Sequence, residues 1–129
     1  MELQSQTLIG HFVCNHQQFY LDQLTNRQTG KTYLLSESEP FVIHWQEGGQ
    51  LAASQMQAQI EKEAKEVIQV DYQDDLARVK VIYELIDGYL KCKVSLLEAK
   101  QTINFLDLSA MTFQEDAKFY LGLINLKLV

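Results

Sequence analysis

The sequence predicts an α+β protein, an N-terminal antiparallel sheet of three or four strands packed on a C-terminal set of about four helices. Three observations carry this expectation. Residues 1–47 break into short runs of β-branched and aromatic residues parted by polar turns, the pattern of strands. Beyond Gly48-Gly49 the apolar period changes from 2 to 3.6. Wound at 100° per residue, the segment 73–91 places Leu76, Val79, Ile82, Tyr83, Ile86, Tyr89 and Leu90 within an arc of roughly 140°. Val81 and Leu85 widen that arc past half the circumference, so the segment reads as a central helix covered on more than one side.

Taken in order, the first run is 6–14, with apolar residues on both alternation faces. Runs 19–24 and 32–35 flank the polar loop Thr25-Asn26-Arg27-Gln28-Thr29-Gly30-Lys31, a hairpin in which Gly30 takes positive φ. Pro40 breaks the sheet, because it cannot donate to a ladder. In 41–45, Phe41, Ile43 and Trp45 point inward and Val42 and His44 to the other face. A polar helix then runs from residue 50 to about 69, with Ala53, Met56, Ile60, Ala64 and Val67 as its stripe and Glu61 and Lys62 paired with Lys65 and Glu66 one turn on. Asp71, Asp74 and Asp75 suit the start of the central helix, where carboxylates oppose the helix dipole. Ser95-Leu96-Leu97-Glu98 has the form of a capping box and opens a third helix to about 107. Thr112-Phe113-Gln114-Glu115 repeats the box before a last helix, for which the final ten residues also permit a strand.

A chain of 129 residues is the size of one domain with a core of its own, divided here into a β part, 1–47, and a helical part, 49–129. No run is long enough to span a bilayer, and the N-terminus lacks the basic start and apolar core of a signal peptide, so a soluble, cytoplasmic protein is expected. Cys14 and Cys92 are too few for a disulfide scaffold and are read as free thiols. The net charge is −6, spread evenly between residues 1–48 and 49–129. Such a mixed acidic surface speaks against phosphate-directed nucleic-acid binding and suits a basic protein partner.

Motifs for chemistry fail on inspection. Gly30-Lys31-Thr32 lacks the glycine a P-loop needs five positions earlier, where Thr25 stands, and it turns a hairpin instead of opening a helix. His11, Cys14 and His16 are close in sequence, with His44 on a neighbouring strand, but on one strand His11 projects opposite to Cys14 and His16, which argues against a zinc site. Cys14 or Ser36 with His16 or His44 has no nucleophile elbow or oxyanion loop to support hydrolysis. The acids Asp71, Asp74 and Asp75 lack the spacing of an EF-hand. No catalytic residue, metal or cofactor is implied.

The apolar surplus is the remaining signal. Interfaces take aromatic and large aliphatic anchors, and the candidates are Tyr83, Tyr89, Phe119, Tyr120, Leu123 and Leu126. The expectation is a non-enzymatic protein-binding module, a small acidic inhibitor, immunity or adaptor protein that occludes or scaffolds a protein partner. The alternative is a small-ligand binder or minor enzyme with an apolar pocket between sheet and helices, lined by Phe12, Phe41, Ile43, Trp45 and Tyr83. A third reading pairs the last helix with its mate in a homo-oligomer.

Overall fold

The computed structural model describes residues 1–15, 18–108, 111–113 and 125–128. It overturns the α+β expectation: the chain is built of strands, and among the described residues the only helical piece is one 3₁₀ turn, Ala53–Gln55. The strands are β1 (Glu2–Gln4), β2 (Leu8–Asn15), β3 (Gln18–Asn26), β4 (Thr32–Ser38), β5 (Val42–Trp45), β6 (Gln50–Ala52), β7 (Gln57–Glu63), β8 (Val67–Gln73), β9 (Ala77–Ile86), β10 (Tyr89–Ala99), β11 (Ile103–Asp107), β12 (Met111–Phe113) and β13 (Asn125–Leu128). They form three sheets, in the orders β1-β2-β3-β4-β12, β13-β10-β9-β8-β7 and β11-β5-β6. All pairings are antiparallel except that of β10 with β13.

The N-terminal elements follow their local sequence. Asn26 accepts from the backbone N–H groups of Gln28 (2.9 Å) and Thr29 (3.3 Å) through Oδ1, and Gly30 sits at φ +76°, closing the β3–β4 hairpin where the polar loop was expected. Phe41, Ile43 and Trp45 are buried, while His44 stays half-buried on the other face.

The predicted central helix is instead the end of β8, all of β9 and the start of β10. Ala77, Val79, Val81, Tyr83 and Leu85 alternate with Arg78, Lys80, Ile82, Glu84 and Ile86, and the first set is buried throughout. Apolar residues on both alternation faces fill a helical arc as well as a strand, so the arc could not discriminate. A strand resolves the conflict because β-branched Val and Ile favour extended backbone and only one face must be covered fully. Asp87-Gly88 then forms the turn into β10, with Gly88 at φ +92°. Residues 50–69 likewise divide into β6, the 3₁₀ turn, β7 and the start of β8. The Ser95 to Glu98 box caps no helix; it lies in β10, where the register to β9 shifts between Leu96 and Glu98. At the C-terminus Met111–Phe113 and Asn125–Leu128 are strands in place of the last helix, whose middle, 114–124, lies outside the described residues.

The two five-stranded sheets pack face to face, and the three-stranded sheet joins the same core. Phe12 stacks on Phe19 (centroids 5.0 Å) and meets Tyr83 edge-on (5.1 Å), while Phe41 meets Tyr72 edge-on (5.3 Å). Tyr72 donates its hydroxyl hydrogen to the Phe19 carbonyl (3.2 Å) and accepts from the Tyr83 hydroxyl (3.0 Å), tying the second sheet to the first. At the rim the Gln4 N–H donates to the Lys65 carbonyl at 2.9 Å, joining β1 to the β7–β8 turn.

Candidate functional site

Outside the core, the feature with the least structural explanation is an aromatic plate on the third sheet. With Phe41, Ile43 and Trp45 turned inward, period 2 forces His44 outward. Its partner strand β11 is held at its start, where the Gln46 N–H donates to the Thr102 carbonyl (2.9 Å) and the Lys100 N–H to the Leu76 carbonyl (2.8 Å). Register then slips by one between Ile103, opposite Trp45, and Phe105, opposite His44. That bulge carries Phe105 to the outer face. Its ring lies flat on the imidazole, centroids 4.2 Å apart and planes 14° from parallel, and Phe105 is 51% exposed.

Beside the plate, Ile103, Leu106 and Leu108 are only partly buried against the core. Among the described residues β11 has a neighbouring strand on one side only. The edge strand β7 ends in Glu61, Lys62 and Glu63 and carries a bulge between Ile60 and Lys62, devices that blunt an edge. The edge at β11 bears an exposed phenylalanine.

A second region holds two adjoining polar clefts of about 320 Å³ each at the β8–β9 turn. Gln73, Asp74 and Asp75 line both, Gln55 and Gln57 one, Arg78, Glu98 and Lys100 the other. The carboxylates there serve the turn and the ladder: Asp74 accepts from the Leu76 N–H at 3.1 Å. Nearby Asp71, almost fully buried, accepts from Arg78 Nε at 3.1 Å with both oxygens and from Nη2 at 2.9 Å. No group of three metal-ligating side chains exists among the described residues.

No family model, no curated protein and no solved structure matches this chain.

The residues singled out by sequence scatter. His11 faces outward and meets Asp22 at 2.6 Å, Cys14 lies at the far end of the opposite alternation face, and His44 belongs to another sheet; His16 lies outside the described residues. The thiols are free, Cys14 exposed and Cys92 buried. Of the pocket set, Phe12, Phe41, Ile43, Trp45 and Tyr83 are all buried side chains of one core. Of the interface set, Tyr83 is wholly buried, Tyr89 is half-buried at the start of β10, and Leu126 falls in β13 beside β10. Phe119, Tyr120 and Leu123 lie outside the described residues. Sequence reasoning passed over Phe105. Its signal was present, since on the helix drawn through Leu96, Ala99, Ile103 and Leu106 this aromatic residue falls off the stripe.

Burial dominates the electrostatics of the core. It pushes the Tyr72 and Tyr83 hydroxyls above the ordinary tyrosine range and the Cys92 thiol from 9.0 up to about 12. These groups are held protonated inside packed protein, which fits them for structure and not for proton transfer.

Proposed function

We propose that this protein is a non-enzymatic protein-binding module that docks an extended, basic segment of a partner protein against β11, with Phe105 and His44 as the anchor. The observation that carries the reading is the exposed Phe105 ring, stacked flat on His44 at the edge of the third sheet. An aromatic ring fixed by a neighbour loses little freedom on binding, and the face it presents attracts an arginine or lysine side chain by about 0.5–1 kcal/mol at an exposed site. The net charge of −6 favours the same class of partner and speeds encounter with it. Half-covered Ile103, Leu106 and Leu108 supply apolar surface beside the plate. In this reading the chain acts as a small acidic inhibitor or adaptor, occluding or scaffolding the protein it holds.

The test is a comparative capture from the native source with three baits: the wild-type chain, Phe105→Asp and Leu34→Asp. Leu34 is exposed on β4 of a different sheet and serves as the control. The expected result is one stoichiometric partner held by wild type and by Leu34→Asp, lost with Phe105→Asp and released by salt. Equal retention by Phe105→Asp, or no stoichiometric partner, ends the reading.

A further inference from the structure

The outer face of the second sheet holds a buried hydroxyl with no hydrogen-bond partner among the described residues. Along β10, Leu90, Cys92, Val94 and Leu96 enter the core, so Lys91, Lys93 and Ser95 face away from it. Ser95 is nonetheless only 8% exposed, and its hydroxyl has no hydrogen bond among the described residues. A hydroxyl withdrawn from water without a partner is rare enough in folded proteins to call for a reason. Lys80 of β9 stands directly opposite Ser95, and Lys93 precedes it by two positions on the same face. Such positions lie about 5 to 7 Å apart, within reach of one ligand group. Both lysines are half-buried, and neither forms an ion pair among the described residues. Asp71, across from Lys80, is already engaged by Arg78, and the residues opposite Lys93 are Ile82 on β9 and Asn125 on β13.

We propose that Lys80, Lys93 and Ser95 form a binding site for the phosphate group of a small phosphorylated molecule. Two ammonium groups match the charge of a phosphate dianion, and the Ser95 hydroxyl donates to a further oxygen. This site is separate from the β11 edge and does not depend on what docks there.

The full chain is titrated with inorganic phosphate and, at matched ionic strength, with chloride, while backbone amide shifts and melting temperature are followed. Phosphate is expected to give saturable shifts centred on Lys80, Lys93 and Ser95 and to raise the melting temperature; chloride is expected to do neither. Ser95→Ala should melt no lower than wild type without phosphate, because it deletes an unsatisfied group, and should bind phosphate about fivefold or more weakly. Lys93→Gln should weaken it by about tenfold. Shifts equal to those of chloride, or wild-type affinity in both variants, overturn the proposal. So does a lower melting temperature for Ser95→Ala without phosphate, which would show the hydroxyl to be structurally engaged.

Discussion

Of the aromatic pairs that join neighbouring strands in this fold, two have completely different surroundings. Tyr72 and Tyr83 lie in the core, where the hydroxyl chain from Tyr83 to Tyr72 to the Phe19 carbonyl leaves both phenols satisfied. Phe105 and His44 instead meet ring to ring, at the surface of the smallest sheet, with half of the phenylalanine in water. The first pair stabilises the union of two sheets. For the second the fold supplies no such reason, since exposed apolar area gains nothing from folding. Side by side, the pairs separate aromatic residues that explain the structure from the one that points outward into solvent.

The strongest way to break the core pair while sparing the surface pair is alkali. The unfolded Cys92 thiol loses its proton near 9.0, whereas the native thiol holds it to about 12, and burial raises both tyrosines in the same direction. Between those limits the unfolded state binds fewer protons than the native state, so stability must fall as pH rises and is fully present below the unfolded values. Each group contributes a slope of up to about 1.4 kcal/mol per pH unit above its unfolded value, so the losses accumulate against a domain stability of about 5–15 kcal/mol. Urea midpoints from pH 7 to 11.5 should be flat to about 9 and then drop steeply. Cys92→Ala should make the early part of that drop shallower, and Phe105→Ala should leave the profile unchanged. A flat profile to pH 11 would show that the core groups are not desolvated as described.

The same contrast explains how much of the molecule was legible in advance. The β3–β4 hairpin was readable because Asn26 and Gly30 have one sensible backbone role each. The inward set Phe41, Ile43 and Trp45 was readable from its alternation, although Val42 on the other face is buried as well. Residues 77–86 were not, because Ile82 and Ile86 put apolar residues on the outer face as well and so satisfied a helical arc. The deciding signal was local: Asp87-Gly88 between two alternating runs is a hairpin turn, and Gly88 adopts the positive φ that such a turn requires. The Ser95 to Glu98 box misled because a bulge in a strand and a helix cap share polar residues at similar spacing. At the plate the sequence marked Phe105 as lying off the apolar stripe, but its pairing with His44 was not legible, for a different reason. It depends on a one-residue register slip between Ile103 and Phe105, which no periodicity records.

Truncation separates the two pairs next most strongly. Tyr83 is fully buried against Phe12 and Phe19, so Tyr83→Ala opens a cavity and is expected to cost about 3–5 kcal/mol. Phe105→Ala removes a ring half in water whose one aromatic neighbour among the described residues is His44, and it should stay within about 0.5 kcal/mol of wild type. Denaturant unfolding of the two variants under one set of conditions checks both numbers. A loss above about 2 kcal/mol for Phe105→Ala would make the plate a structural element and remove its claim to be a docking anchor.

The finest division falls within the core pair itself. Tyr72 is the middle of the hydroxyl chain, donating to Phe19 and accepting from Tyr83, whereas Tyr83 is its end. Tyr83→Phe deletes one hydrogen bond and leaves Tyr72 still donating to the carbonyl, a loss of about 1 kcal/mol. Tyr72→Phe deletes both bonds and strands the Tyr83 hydroxyl in the core, a loss of about 1–3 kcal/mol. Although the two substitutions remove the same atom from the same residue type, Tyr72→Phe should therefore be the more destabilising. Chemical denaturation of both variants at neutral pH measures the order. Equal losses would mean that the Tyr83 hydroxyl finds another acceptor when Tyr72 is gone; the reverse order would place the chain's anchor at Tyr83 instead of at the Phe19 carbonyl.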